Sequence, residues 1–116
     1  MTPLNITHRD ASDGPVLHVA GELDHAQAAL LRREVESLAL RAGQCLDLDL
    51  SDLEFCDSTG ITVLLAARQY AGAAEAGIVL TGVQPHLLRV LTMVGLDRVF
   101  TLRPAPDSPS AGTAAG

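Results

Sequence analysis

The sequence predicts an α/β domain, a mixed and mostly parallel β-sheet of four to five strands packed with α-helices. Three observations predict it. Apolar periodicity switches between two and 3.6 residues in the order β-β-α-β-α-β-α-β. Right-handed crossovers in such an order place helices against a largely parallel sheet. A chain of 116 residues with 47% apolar content makes one domain, able to bury roughly two-thirds of its unfolded surface without disulfides or metal.

Residues 4–8 read as a short edge strand and Val16 to Ala20 (VLHVA) as a second, joined in a hairpin through the turn Asp13-Gly14-Pro15. Gly21-Glu22-Leu23-Asp24 leads into a helix with Ala28, Leu31, Val35 and Leu38 on one face and Arg32, Glu36 and Arg41 pointing away. Asp24 is its expected N-cap, Gln27 completes a capping box, and Gly43 is the stop. Leu46, Leu48 and Leu50 alternate with Asp47 and Asp49, a strand whose acidic face needs solvent or a partner. A short acidic loop follows, then a helix from about Ser58 to Ala74 that packs through Ile61, Leu64 and Leu65. Gly77 ends that helix and opens the strand Ile78-Val79-Leu80. Pro85 suits a first helical position, Leu87, Leu88, Leu91 and Val94 continue at helical spacing, and Gly95 terminates the run. Arg98 to Leu102 is the last expected strand, which sets a folded domain at 1–102. The remainder, RPAPDSPSAGTAAG over 103–116, is expected to be a disordered tail rich in Pro, Ala, Ser and Gly.

Composition removes several functions. A net charge of -6 repels nucleic acid and anionic lipid, and only three aromatic residues, Phe55, Tyr70 and Phe100, leave no base-stacking surface. No apolar run approaches the roughly 20 residues that span a bilayer, and MTPLNITHRD has no signal-peptide core, so a cytoplasmic protein without direct membrane insertion is expected. Cys45 and Cys56 are then reduced and act as small hydrophobes near strand ends. His8, His18, His25 and His86 are scattered without metal-site spacing, so neither metal nor cofactor is expected.

The stretch LDLDLSDLEFCDSTG, Leu46 to Gly60, carries the functional expectation. It ends where a helix begins, with the adjacent hydroxyls of Ser58 and Thr59, a place where phosphate is tolerated and a kinase has access. Catalysis does not fit: Thr59 interrupts the Asp-Ser/Thr-Gly order of an aspartic protease, Cys56 breaks a serine-hydrolase elbow, and no base is evident. All eight basic residues are Arg, so a P-loop lysine is absent. The chain is not expected to be an enzyme. By local chemistry Ser58 reads first as the plain N-cap of its helix, and the role of surface acceptor is compatible with that because Gly60 permits close approach of backbone.

Taken together, GELDHAQAALLRREV (Gly21 to Val35), LDLSDLEFCDSTGITVLLAARQYA (Leu48 to Ala71) and GIVLTGVQPHLLRVLTMVGLDRVF (Gly77 to Phe100) resemble the bacterial anti-sigma factor antagonists, whose fold is the STAS domain. The resemblance spans nearly all of residues 4–102. It implies a partner-switching module: the unmodified antagonist binds an anti-sigma factor that is also a serine kinase, and so releases a sigma factor. Phosphorylation of the serine in Asp-Ser-x-Gly ends the complex, and a PP2C-type phosphatase resets it. Carried over by position, the phosphoacceptor is Ser58, with Thr59 the weaker candidate, and Asp24, Asp57, Ser58, Thr59 and Gly60 belong to the partner-binding surface. The same fold also serves as a scaffold in stress-sensing complexes or as a regulatory subunit of membrane transporters. The chain departs from many family members in turning to a Pro-rich tail where they add a final helix. With no evident exposed apolar stripe, a monomer is expected when free.

Overall fold

The computed structural model describes residues 2–105. Its strands are β1 (Asn5–Ala11), β2 (Gly14–Leu23), β3 (Cys45–Asp49), β4 (Leu53–Cys56), β5 (Gly77–Thr81) and β6 (Thr101–Arg103). Its helices are α1 (Ala28–Glu36), α2 (Ser58–Ala73) and α3 (Pro85–Met93), with a 3-10 turn at Leu96–Arg98. The sheet order is β1-β2-β3-β5-β6, with β4 paired to the far half of β2. Only the β1–β2 pair is antiparallel.

Along the main path β2-β3-β5-β6 each strand is added beyond the last, and right-handed crossovers moving in one direction drop the helices on one face. That face holds the core: Leu17, Val19, Leu46, Leu48 and Leu80 from strands meet Leu31, Val35, Leu64, Leu87 and Leu91 from helices. On the opposite face the acids of β3 find partners. Asp47 accepts from the Thr81 hydroxyl at 2.7 Å and from the Arg103 guanidinium at 2.8 Å, and Asp49 accepts from the Ser51 hydroxyl at 2.7 Å. The acidic face is therefore satisfied inside the domain.

Several expectations need correction. The sheet has six strands because the expected acidic loop contains β4. Leu53 is buried while Glu54 and Phe55 are both exposed, so β4 lacks the alternation that betrays a strand. Helix α1 is shorter at both ends than its periodicity suggests, because Asp24 closes a separate turn through Gln27 N at 3.1 Å and Ala28 N at 2.9 Å. Gln27 does not complete a capping box; its Oε1 accepts from Leu4 N at 2.6 Å and its Nε2 donates to the Glu22 carbonyl at 3.3 Å. At the other end the chain leaves the helix at Ser37, whose hydroxyl donates to the Glu34 carbonyl at 2.7 Å. The Tyr70 phenol of α2 donates to the Leu38 carbonyl at 2.7 Å, with the Glu36 carbonyl at 3.0 Å. Helix α2 stops before Gly77, with Glu75 in the left-handed region at φ 59°.

The last strand is also displaced, since Leu96–Arg98 winds as a 3-10 turn and Arg103 lies in β6. Gly82 N donates to the Arg103 carbonyl at 2.8 Å, which places Arg103 in the folded domain. The rest of the expected tail, 106–116, lies outside the described residues. The expectation of no exposed apolar stripe, with Val94 on the apolar run of α3, is corrected as well: Val90, Met93 and Val94, with Val99 beyond, are exposed, Met93 to 78%.

Candidate functional site

Strands β2 and β4 run parallel and end beside one another, with Leu23 opposite Cys56. The loops that follow them are therefore neighbours, and Asp57 N donates to the Leu23 carbonyl at 3.2 Å. This junction brings together all five of the expected surface residues.

Asp57, not Ser58, is the N-cap of α2. Its backbone is extended, its Oδ1 accepts from Gly60 N at 3.0 Å, and its carbonyl accepts from Ile61 N at 3.0 Å. Ser58 is then the first helical residue. Its hydroxyl is exposed and makes no hydrogen bond among the described residues, while its carbonyl accepts from the Thr62 hydroxyl at 3.0 Å. Thr59 is half-buried along the helix flank.

Gly60 is buried because the first turn of α2 rests on the end of β2. A Cβ there would stand 2.7 Å from both the Leu23 carbonyl oxygen and the Cys56 sulfur. The same crowding acts on Cys56, whose thiol is pushed up to about 12 by burial and further by the Asp57 charge. It lies 3.6 Å from the Asp57 carbonyl and stays protonated at neutral pH. Cys45 is raised too, by burial first, with Arg103 opposing and Asp47 and Asp13 adding to the rise.

Asp24 and Asp57 both turn their carboxylates onto backbone amides. Asp24 Oδ1 accepts from Gln27 N, and the second oxygen of Asp57 accepts from His25 N at 3.1 Å. The nearby acids are dispersed: Asp52 faces the His18 ring at 2.8 Å and Glu54 accepts from the Thr2 hydroxyl at 2.9 Å. Asp47 and Asp49 belong to the other face of the sheet, away from Ser58. Sequence reasoning missed two residues here. His25 takes part through its amide, which leaves no trace in residue type. Phe55 on β4 is 48% exposed three residues before Ser58, and its signal was available, since the chain has only three aromatic side chains.

This one-sided α/β domain presents adjoining loops and an unengaged serine hydroxyl where β2 and β4 end. The chain belongs to the STAS-domain family: the family model described as "Mlab, STAS domain" matches residues 6–104. It is 30% identical over 100 residues to the anti-sigma-F factor antagonist RsfB of Mycobacterium tuberculosis, covering 85% of this chain and 80% of that one. The anti-sigma-B factor antagonist of Listeria monocytogenes is 28% identical over 100 residues, covering 86% and 87% respectively. The crystal structure of an anti-sigma factor antagonist from Mycobacterium paratuberculosis superposes with a TM-score of 0.78 at 28% identity, covering 90% of this chain and 88% of that one. No helix among the described residues is long and apolar enough to cross a membrane.

Proposed function

We propose that this chain is an anti-sigma factor antagonist that binds an anti-sigma factor through residues 24–27 and 57–60 and is released when Ser58 is phosphorylated. The observation that carries this reading is the free Ser58 hydroxyl at the first position of α2, one residue past the group that caps the helix. Similarity to proteins named anti-sigma factor antagonists supplies the kind of partner. The anti-sigma factor is itself the serine kinase, a PP2C-type phosphatase restores the hydroxyl, and the exchange takes place in the cytoplasm. Thr59, half-buried, is the weaker acceptor. The domain performs no catalysis of its own in this cycle.

The physics favours a switch that spares the fold. A phosphate brings about -1.5 to -2 charges to a helix N-terminus, which tolerates them, and Asp57 keeps the cap. A partner seated on a neutral serine meets bulk, charge and desolvation instead. A loss of about 100-fold in affinity corresponds to about 2.8 kcal/mol, and a penalty of that size is reasonable for such a group at an interface. The test is calorimetric titration of each anti-sigma factor of the host with unmodified protein and with protein carrying genetically encoded phosphoserine at position 58. Tight binding of the first and at least about 100-fold weaker binding of the second are expected. Equal affinities would sink the reading.

The apolar stripe of α3 favours a second use, as a permanent subunit of a stress-sensing scaffold or of a membrane transporter. Stable co-purification with such an assembly, unaffected by Ser58→Asp, would select it.

A further inference from the structure

The Asp57 carboxylate divides its two oxygens between two elements. Oδ1 accepts from the Gly60 amide at 3.0 Å and closes the first turn of α2, while Oδ2 accepts from the His25 amide at 3.1 Å in the loop after β2. Capping needs only the first. We propose that Asp57 is a positioning residue that pins the 24–27 loop to the start of α2, and that His25, displayed on that loop, is a recognition residue for the anti-sigma factor. The second half of this rests on the partner-binding reading above.

The loop's other bonds do not reach α2. Asp24 closes the turn on itself through Gln27 N and Ala28 N, and Gln27 reaches the Glu22 carbonyl and Leu4 N on the opposite side. The backbone bond from Asp57 N to the Leu23 carbonyl lies before the loop begins. Among the described residues, the second oxygen of Asp57 is therefore the hydrogen-bonding tie between the exposed loop and the serine helix. Without it, the loop between Leu23 and Ala28 keeps its own turn and the Gln27 bonds but has no hydrogen bond to the start of α2.

What the pinned loop displays is also specific. Asp57 commits both carboxylate oxygens to backbone amides, and Asp24 commits one. No Arg occurs in residues 10–31 or 42–67, and the chain has no Lys, so the exposed His25 ring is the cation-capable group on this loop pair. It suits a carboxylate or carbonyl acceptor on the partner.

The experiment separates the cap from the tie. In Asp57→Asn the amide oxygen still accepts from Gly60 N, but the amide nitrogen cannot accept from His25 N–H. Amide hydrogen exchange, read by NMR on labelled protein, is expected to speed up by about tenfold or more at His25 and to stay unchanged at Gly60. An unprotected His25 amide in the wild type, an unchanged rate in Asp57→Asn, or an equal rise at Gly60 overturns the positioning role.

Titration with the anti-sigma factor that binds the wild type supplies the second readout. Asp57→Asn and His25→Ala are each expected to weaken binding by about tenfold, and the double variant no more than the worse single one. Additive losses, or wild-type affinity in His25→Ala, overturn the recognition role. If the wild type binds no anti-sigma factor, the proposed function fails and His25's role falls with it, while hydrogen exchange still decides whether Asp57 pins the loop.

Discussion

Helices α2 and α3 begin at the same edge of the sheet, after the parallel strands β4 and β5, and they are started by opposite means. At α3 the cap position is Gln84, which makes no capping side-chain bond, and Pro85 at the first helical position removes a donor outright. The Gln84 side chain instead donates to the Ser51 carbonyl, and the third helical residue, Leu87, plunges into the core. At α2 a carboxylate supplies the cap from one residue earlier, the first position carries an unengaged hydroxyl, and the third position is Gly60. The difference teaches how a free serine is made at a helix start. The amides that a serine oxygen would ordinarily serve must already be served by its neighbour, and the turn must seat without a side chain.

The sharpest break in this comparison is at the third position of each helix. Leu87→Ala should cost about 3 kcal/mol by emptying core volume, and Gly60→Val about 2–3 kcal/mol by driving a side chain into the Leu23 carbonyl and Cys56. Urea denaturation measures both, and a wild-type midpoint for Gly60→Val would show that the turn is not seated as described.

Next in size is a pH effect centred on the α2 start. Burial and the Asp57 charge raise the Cys56 thiol, so the folded state favours the protonated form. The unfolded chain loses that proton first, near the ordinary thiol value of about 8.5. Stability should thus be level below that pH and decline toward 12, by about 1–2 kcal/mol at pH 10, and Cys56→Ala should remove most of the decline. Cys45 contributes in the same direction.

The smallest effect is the most telling. Because Asp57 holds the cap, Ser58→Ala should change stability by less than about 0.5 kcal/mol. A loss of about 1 kcal/mol would return the capping role to Ser58 and dissolve the contrast with α3.

Elements with a clean period were legible in the sequence: the leucines of β3, the start of α3 at Pro85 with Leu87 and Leu91 buried, and the body of α2 stand where their patterns put them. β4 was not legible, because a short strand paired to the far half of β2 across a register shift buries one residue and exposes the next two. The ends of α1 were hidden for a different reason. Leu38 keeps the helical spacing and is buried, yet it reaches the core from a loop whose carbonyl is served by Tyr70, a residue 32 positions away. At the site, the hydroxyls, the glycine and the acids could be read from residue types. Which oxygen serves which amide could not, since Asp and Ser are interchangeable caps by propensity and only the seating of the turn decides between them.

The Tyr70 bond has a mechanical consequence. The α1–α2 pair is fastened at its far end by the phenol and at its near end by the Asp57 carboxylate. A beam pinned at one end can swing, whereas a frame pinned at both resists shear. The phosphate proposed for Ser58 thus acts on a panel tied at both ends. On that proposal the mark is read by touch at the place where it is written.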